Sequence, residues 1–134
     1  MKPWTATARL QLRPGFDLRA AAAQVPYYAA LGISHLYLSP IAQARTGSTH
    51  GYDAVDPTRV SAALGGEEAL AALVEALHAH GMGLLLDIVP NHMAASVENP
   101  WWRHVLQHGR ESRYAGWFDI DWSSPEAEGR VWLP

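Results

Sequence analysis

The stretch that most limits the fold of this chain is Gly81-Met82-Gly83-Leu84-Leu85-Leu86-Asp87-Ile88-Val89-Pro90-Asn91-His92. An apolar run leads to Asp87, the pair Ile88 and Val89 follows, and Pro90 stops regular structure because it has no N–H for a sheet ladder. A short apolar run bounded by Gly and Pro reads as a strand buried on both faces. Sheets of that kind are parallel and packed against helices, and their ligands sit at the carboxyl ends of the strands. Asp87, Asn91 and His92 are therefore polar side chains delivered to the end where such a fold keeps its chemistry. The structural alternative is an Asp that caps a loop and an Asn-His turn.

The segments before this one repeat the logic. Thr5 to Leu12 alternates polar Thr7, Arg9 and Gln11 with Ala8, Leu10 and Leu12, which is the period of a strand. Pro14-Gly15 is a turn and Asp17 an N-cap. Leu18 to Leu31 reads as a helix with Leu18, Ala22, Val25 and Ala29 near one face. Pro26 removes one helix hydrogen bond, so a kink or restart is expected there. Gly32 closes the helix, and Ile33 to Pro40 is a second strand. Glu67 to His80 is a second helix, with Leu70, Leu73, Val74 and Leu77 at i, i+3, i+4 and i+7 and with Gly81 as its C-cap. Glu67 and Glu68 suit its positive end. The order is β-α-β-α-β, an α/β arrangement whose helical crossovers imply a parallel sheet.

Two regions escape this pattern. Ile41 to about Gly66 is far longer than an ordinary connection and holds Gly47 to Asp53, then Asp56-Pro57-Thr58. Loops of that length are commonly functional. Beyond His92, Asn99-Pro100-Trp101-Trp102 opens a short helix to about His108. Gly109 to Ser112 is a loop, Phe118-Asp119-Ile120-Asp121-Trp122 alternates like a strand, and Ser123-Ser124-Pro125 is a break. All the Trp residues except Trp4 fall after residue 100. They fill a core on the plain view and stack on sugar faces on the sharper one.

Composition narrows the function classes. The 134 residues amount to one ordinary domain at most, and 49% hydrophobic residues can fill its core. The net charge of −3, without any basic cluster, argues against nucleic acid as a partner. The absence of cysteine excludes disulfides, zinc thiolates and cysteine nucleophiles. No apolar run approaches the ~20 residues of a membrane span, and no secretory signal follows Met1-Lys2-Pro3-Trp4. No membrane partner and a cytoplasmic location are expected.

Three pieces taken together resemble glycoside hydrolase family 13, the α-amylase superfamily. Asp87-Ile88-Val89-Pro90-Asn91-His92 resembles its first signature region at the third barrel strand. His50-Gly51-Tyr52-Asp53 is similar to the Gly-Tyr segment of its loop after the second strand. Leu31 to Pro40 looks like its passage from first helix to second strand. A finer likeness, to the maltooligosyl trehalose synthase family, is carried by Thr7-Ala8-Arg9-Leu10-Gln11-Leu12, Tyr37-Leu38-Ser39-Pro40-Ile41, Gly47-Ser48-Thr49-His50-Gly51-Tyr52-Asp53, Asp56-Pro57-Thr58-Arg59 and Phe118-Asp119-Ile120-Asp121-Trp122. Gly47 to Asp53 and Phe118 to Trp122 discriminate most.

The resemblance implies the N-terminal part of a (β/α)8 TIM barrel. Residues 1–92 would form the first three β/α units, and 93–134 the beginning of an insert after the third strand, similar to a domain B. The activity implied is rearrangement of the reducing-end α-1,4 bond of a maltooligosaccharide to α,α-1,1. It is a retaining double displacement in which the released glucose, not water, captures the glycosyl-enzyme. The resemblance places the nucleophile Asp on the fourth strand, the acid/base Glu after the fifth and a further Asp after the seventh. Asp119, Asp121, Glu126 and Glu128 do not match those motifs, so no catalytic residue is assigned here.

The matching positions instead imply substrate binding. His92 would bond a sugar hydroxyl, Tyr52 would be an aromatic platform under that sugar, and Asp87 would hold the site's Arg and nucleophile. Asn91 would fix the loop, and His50 and Asp53 are further polar contacts. Asn91 also resembles a calcium ligand of some amylases, but its companions are not identifiable, so no metal and no cofactor is expected. The partner is a maltooligosaccharide, and the remaining barrel is expected from further C-terminal chain, since Gly129 to Pro134 looks like a family stretch cut short. These 134 residues alone are expected to be inactive. The competing readings are another family 13 glucan hydrolase, a non-catalytic carbohydrate-binding piece and a gene remnant.

Overall fold

The computed structural model describes residues 3–124 and 130. They fall into two compact units, Met1–Met93 and Ala94–Pro134. Trp132, Glu126, Glu128 and most of the Gly129–Pro134 stretch lie outside the described residues.

The first unit is built on three parallel strands, β1 (Thr7–Leu10), β2 (His35–Leu38) and a third, Gly83–Leu86, here β5. They lie in the order β1-β2-β5, with Thr7 opposite His35 and His35 opposite Gly83. Side chains alternate across such a sheet. Ala8, Leu10, Leu36, Leu38 and Leu84 accordingly contribute to one core with helices α1 (Leu18–Ala30) and α2 (Gly66–Ala79). Leu18, Ala21 and Val25 of α1 and Ala69, Leu73 and Leu77 of α2 are the helical share of that core, each buried. The Asp17 carboxylate accepts from Ala20 N at 2.9 Å and caps α1 as expected.

The other side of the sheet carries Arg9, Tyr37 and Leu85 in one row of the register. It explains the first correction. The third strand is not buried on both faces: it ends at Leu86, which is exposed, and Ile88 is 70% exposed. Among the described residues the helical core covers one sheet face, and β5 pairs with β2 alone.

Three local expectations also change. Helix α1 runs through Pro26 without a restart. Proline removes only its own bond to the carbonyl four residues back, and Pro26 faces solvent while Leu18, Ala21 and Val25 hold the helix from the buried side. The long connection is not plain loop. It contains an antiparallel pair, β3 (Ala42–Ala44) and β4 (Ala54–Val60). Its register shifts near Gln43, which is where a strand can tolerate Pro57. Finally, Phe118 to Trp122 forms turns rather than a strand, with Ile120 N bonded to Phe118 O and Trp122 N to Ile120 O. Short i to i−2 bonds satisfy the backbone locally, and among the described residues the alternation of Asp and apolar side chains has no partner strand.

The second unit is organised by α3 (Pro100–His108). Pro100 occupies the first turn, where its missing N–H costs nothing. Asn99 Oδ1 accepts from both Trp101 N and Trp102 N at 3.0 Å. Trp102 and Val105 are buried and form the inner side of this helix.

Candidate functional site

The end of the sheet where β5 runs out assembles a cluster of three side chains. Asp87 follows Leu86 directly, and its N–H still bonds Leu38 O at 2.9 Å, so the ladder holds the backbone one residue past the strand. By strand alternation its side chain lies on the side of Leu85, Tyr37 and Arg9. Tyr52 reaches the same point from the connection between β3 and β4. Its phenol donates to Asp87 Oδ2 at 2.5 Å and accepts from Arg9 Nη2 at 2.7 Å. Arg9 Nη2 is itself 3.2 Å from Asp87 Oδ2, which closes a triangle of guanidinium, phenol and carboxylate. The Arg9 guanidinium also lies 4.4 Å from the centre of the Tyr37 ring.

The electrostatics follow from this geometry. The Tyr52 hydroxyl bond, aided by Arg9, holds the Asp87 carboxyl below the ordinary aspartate value of 3.8. The same bond pushes Tyr52 above the ordinary tyrosine value of 10.0, because ionising the phenol would set two anions face to face. At neutral pH Asp87 is therefore an acceptor, not an acid, and Tyr52 is a neutral donor.

Tyr52 is positioned by its own loop. Its N–H donates to His50 Nδ1 at 3.0 Å, and the two rings stack with centroids 6.0 Å apart. Gly51 has a φ of +79°, and a Cβ there would stand 2.8 Å from the Pro40 carbonyl oxygen. Only glycine lets this loop lie so close to the end of β2. Asp53 turns back into the loop: Oδ1 accepts from Ser48 Oγ at 2.5 Å, and Oδ2 lies 3.7 Å from Arg45 Nε and 3.9 Å from His50 Nε2. Beside Asp87 a cleft of about 290 Å³ opens between Pro40, Gly51, Ala54, Leu86 and Ile88.

Of the residues singled out from sequence, the structure thus joins Tyr52 with Asp87, and His50 with Asp53 in the supporting loop. His92 and Asn91 form a separate pair, with His92 Nδ1 3.1 Å from Asn91 Oδ1. Among the described residues no hydrogen bond or ion pair links them to the triangle. Arg9 was missed, since on an alternating strand it reads as a solvent-facing polar residue. Its place opposite Tyr37 comes from the strand register, which the sequence alone does not give. Among the described residues no group of three or more His, Asp or Glu side chains is placed to hold a metal ion, and no helix is long and apolar enough to cross a membrane.

Comparison with known proteins gives this geometry a family. Residues 13–134 match the alpha-amylase catalytic domain. The chain belongs to the alpha-amylase catalytic-domain family. A Mycobacterium tuberculosis relative, provisionally assigned as a maltooligosyl trehalose synthase, is 48% identical over 139 aligned positions, covering 98% of this chain and 18% of its own length. The solved maltooligosyltrehalose synthase of Arthrobacter ramosus is 51% identical, with a TM-score of 0.85 over 87% of this chain and 16% of that one. An intracellular maltogenic amylase of Bacillus subtilis is 37% identical over 79% of the chain. The chain thus spans less than a fifth of the length of these alpha-amylase relatives. The resemblance read from the motifs is borne out, both for the alpha-amylase family and for the finer likeness.

Proposed function

We propose that this chain belongs to an intramolecular transglucosylase that converts the reducing-end α-1,4 bond of a maltooligosaccharide to α,α-1,1, and that it supplies part of the sugar site. The observation that carries the reading is similarity to maltooligosyl trehalose synthases along nearly the whole chain, at higher identity and coverage than to the maltogenic amylase. The Arg9–Tyr52–Asp87 triangle at the carboxyl end of parallel strands supports it, since family folds of this class place ligands there. In this reading residues 1–92 are the first three units of a (β/α)8 barrel and residues 93–134 begin an insert.

The chemistry assigns this chain positioning rather than bond-breaking. A retaining displacement needs one carboxylate as nucleophile and a second carboxyl as acid/base. Asp87 is held ionised by two donors, so it suits neither delivery of a proton nor free attack. It fits the part of an anchor whose charge orients a neighbouring cation. Tyr52 and His50 present stacked rings for a sugar face, and His92 and Asn91 offer hydrogen-bond groups past the strand.

The test uses the polypeptide encoded by the complete reading frame, incubated with maltopentaose, with products resolved by NMR. The expected result is loss of reducing ends with an α,α-1,1 linkage appearing and little net hydrolysis. Accumulation of shorter reducing sugars as the main product would replace this reading by that of a glucan hydrolase. The 134 residues alone are expected to leave maltopentaose unchanged.

A further inference from the structure

The first unit holds a cavity that the reading above does not use. It measures about 200 Å³ and lies between the ends of β1 and β2 and the β3–β4 pair. Buried Leu12, Ala44 and Leu64 give it an apolar part, and exposed Arg13, Arg45 and Thr49 stand on its rim. It shares Pro40 and Gly51 with the cleft beside Asp87, but neither arginine lines that cleft.

The lining is one-sided in charge. Aspartate and glutamate outnumber lysine and arginine in the chain by 13 to 10, yet no carboxylate lines the cavity. Asp53 lies 3.7 Å from Arg45 Nε, outside the lining. Among the described residues no acceptor is bonded to the Nη groups of Arg45, to the Arg13 guanidinium or to the Thr49 hydroxyl. His50 also lines the cavity, but its Nδ1 accepts from Tyr52 N and its Nε2 lies 3.9 Å from Asp53 Oδ2. Deeper in stands Ser61, which is only 5% exposed. Among the described residues its hydroxyl has no hydrogen-bond partner, and no side-chain oxygen sealed from solvent is left unpartnered. The Ser61 hydroxyl therefore opens into the cavity that Ser61 lines.

Both arginines rise from fixed backbone. Arg13 N donates to Phe16 O at 3.1 Å and Arg13 O accepts from Phe16 N at 2.9 Å, across the Pro14-Gly15 turn. Arg45 N donates to Asp53 O at 3.0 Å, and Arg45 O accepts from Ser48 N at 3.0 Å. Anchored roots lower the cost of ordering these side chains around a ligand.

Unpaired guanidinium forks call for an oxyanion. A carboxylate is planar, and one fork satisfies it. A phosphoryl group offers three acceptor oxygens in different directions and a charge of about −1.5 to −2 near pH 7. That suits two separate forks with hydroxyls beside them. The cavity is smaller than the roughly 300–1,000 Å³ of a drug-sized site, so its ligand is small, and the apolar part takes a short carbon body. We propose that this cavity binds a small phosphate monoester, with the phosphoryl group held by Arg13 and Arg45 and the ester carbons over Leu12 and Leu64. The site stands whichever reaction the complete polypeptide performs.

The polypeptide encoded by the complete reading frame is titrated calorimetrically, at constant ionic strength, with glycerol 3-phosphate, with inorganic phosphate and with acetate. Glycerol 3-phosphate is expected to bind, inorganic phosphate more weakly for want of a carbon body, and acetate most weakly. Arg13→Ala should weaken glycerol 3-phosphate binding about tenfold. Arg13→Lys keeps the charge but loses the fork and should recover only part of that loss. Ser61→Ala should weaken binding less than Arg13→Ala does, and Arg19→Ala, an exposed arginine on α1, should leave it unchanged. If Arg13→Ala does not fold, Arg45→Ala, also at an exposed position, decides by the same tenfold criterion. Absence of glycerol 3-phosphate binding, equal binding of acetate or inorganic phosphate, or an affinity that Arg19→Ala lowers as much as Arg13→Ala would each overturn the proposal.

Discussion

The Tyr52 hydroxyl stands between a cation and an anion, and the pH behaviour of the first unit should register it. Asp87 is held below its ordinary value, so its contribution to stability is fully present above pH 3.8 and is lost as pH falls through its lowered value. Tyr52 is pushed the other way, so its contribution is present below pH 10.0 and is lost as pH rises through its raised value. Tyr52→Phe removes the Tyr52 effect and the largest cause of the Asp87 effect, leaving Arg9 beside the carboxylate. The stability gap between wild type and variant should therefore be widest at neutral pH and shrink towards both extremes. Urea midpoints across the pH range measure the gap, and carboxyl NMR should show Asp87 titrating nearer to 3.8 in the variant. A gap independent of pH would mean that the phenol acts by packing alone. Because the triangle faces solvent, screening keeps this gap small.

At the scale of elements, α3 depends on one residue. Asn99 is fully buried and its Oδ1 serves two backbone N–H groups at once. Asn99→Ala should cost about 1–2 kcal/mol, read as a lower thermal midpoint of the near-ultraviolet tryptophan signal. Asn99→Asp keeps an acceptor at the positive end of the helix and should recover most of the loss. Equal melting of wild type and Asn99→Ala would show that Trp102 and Val105 hold the helix without its cap. This element was legible in advance, because Asn followed by Pro is a start signal: a capping side chain and then a proline at the first helical position, where its missing N–H costs nothing. So were α2, whose Leu73 and Leu77 repeat at helical spacing, and the parallel strands on either side of it. The pair β3–β4 was not. Ala42-Gln43-Ala44 has no β-branched residue, and in its partner Asp56-Pro57 interrupts the strand formers Val55, Thr58 and Val60, so the local signal is broken and the pairing completes the strands. Arg9 failed to show for a related reason. Its role depends on Tyr52, 43 positions along the chain, and on Asp87, a further 35 beyond Tyr52, and strand alternation describes only a face.

For the whole molecule the sheet itself sets the remaining expectation. Among the described residues β1 and β5 each have a single neighbour, so two strand edges present backbone N–H and C=O groups without sheet partners. Leu86, the last residue of β5, is 39% exposed, and Ile88, two residues beyond, is 70% exposed. A closed barrel of eight strands has no such edges, and an apolar residue next to an open edge invites pairing with another chain. The 134 residues should therefore self-associate with rising concentration, measured by sedimentation velocity. Ile88→Lys adds a charge beside the edge without touching the core built by Leu36, Leu38, Leu73 and Leu77, and it should shift the distribution back towards monomer. The control is Leu31→Lys, since Leu31 is also apolar and 58% exposed but is the C-cap of α1 and belongs to no strand. Association that Leu31→Lys relieves as well as Ile88→Lys would assign the effect to general surface hydrophobicity. Association that only Ile88→Lys relieves would place it at the edge of β5, the same end of the sheet where Asp87 meets Tyr52.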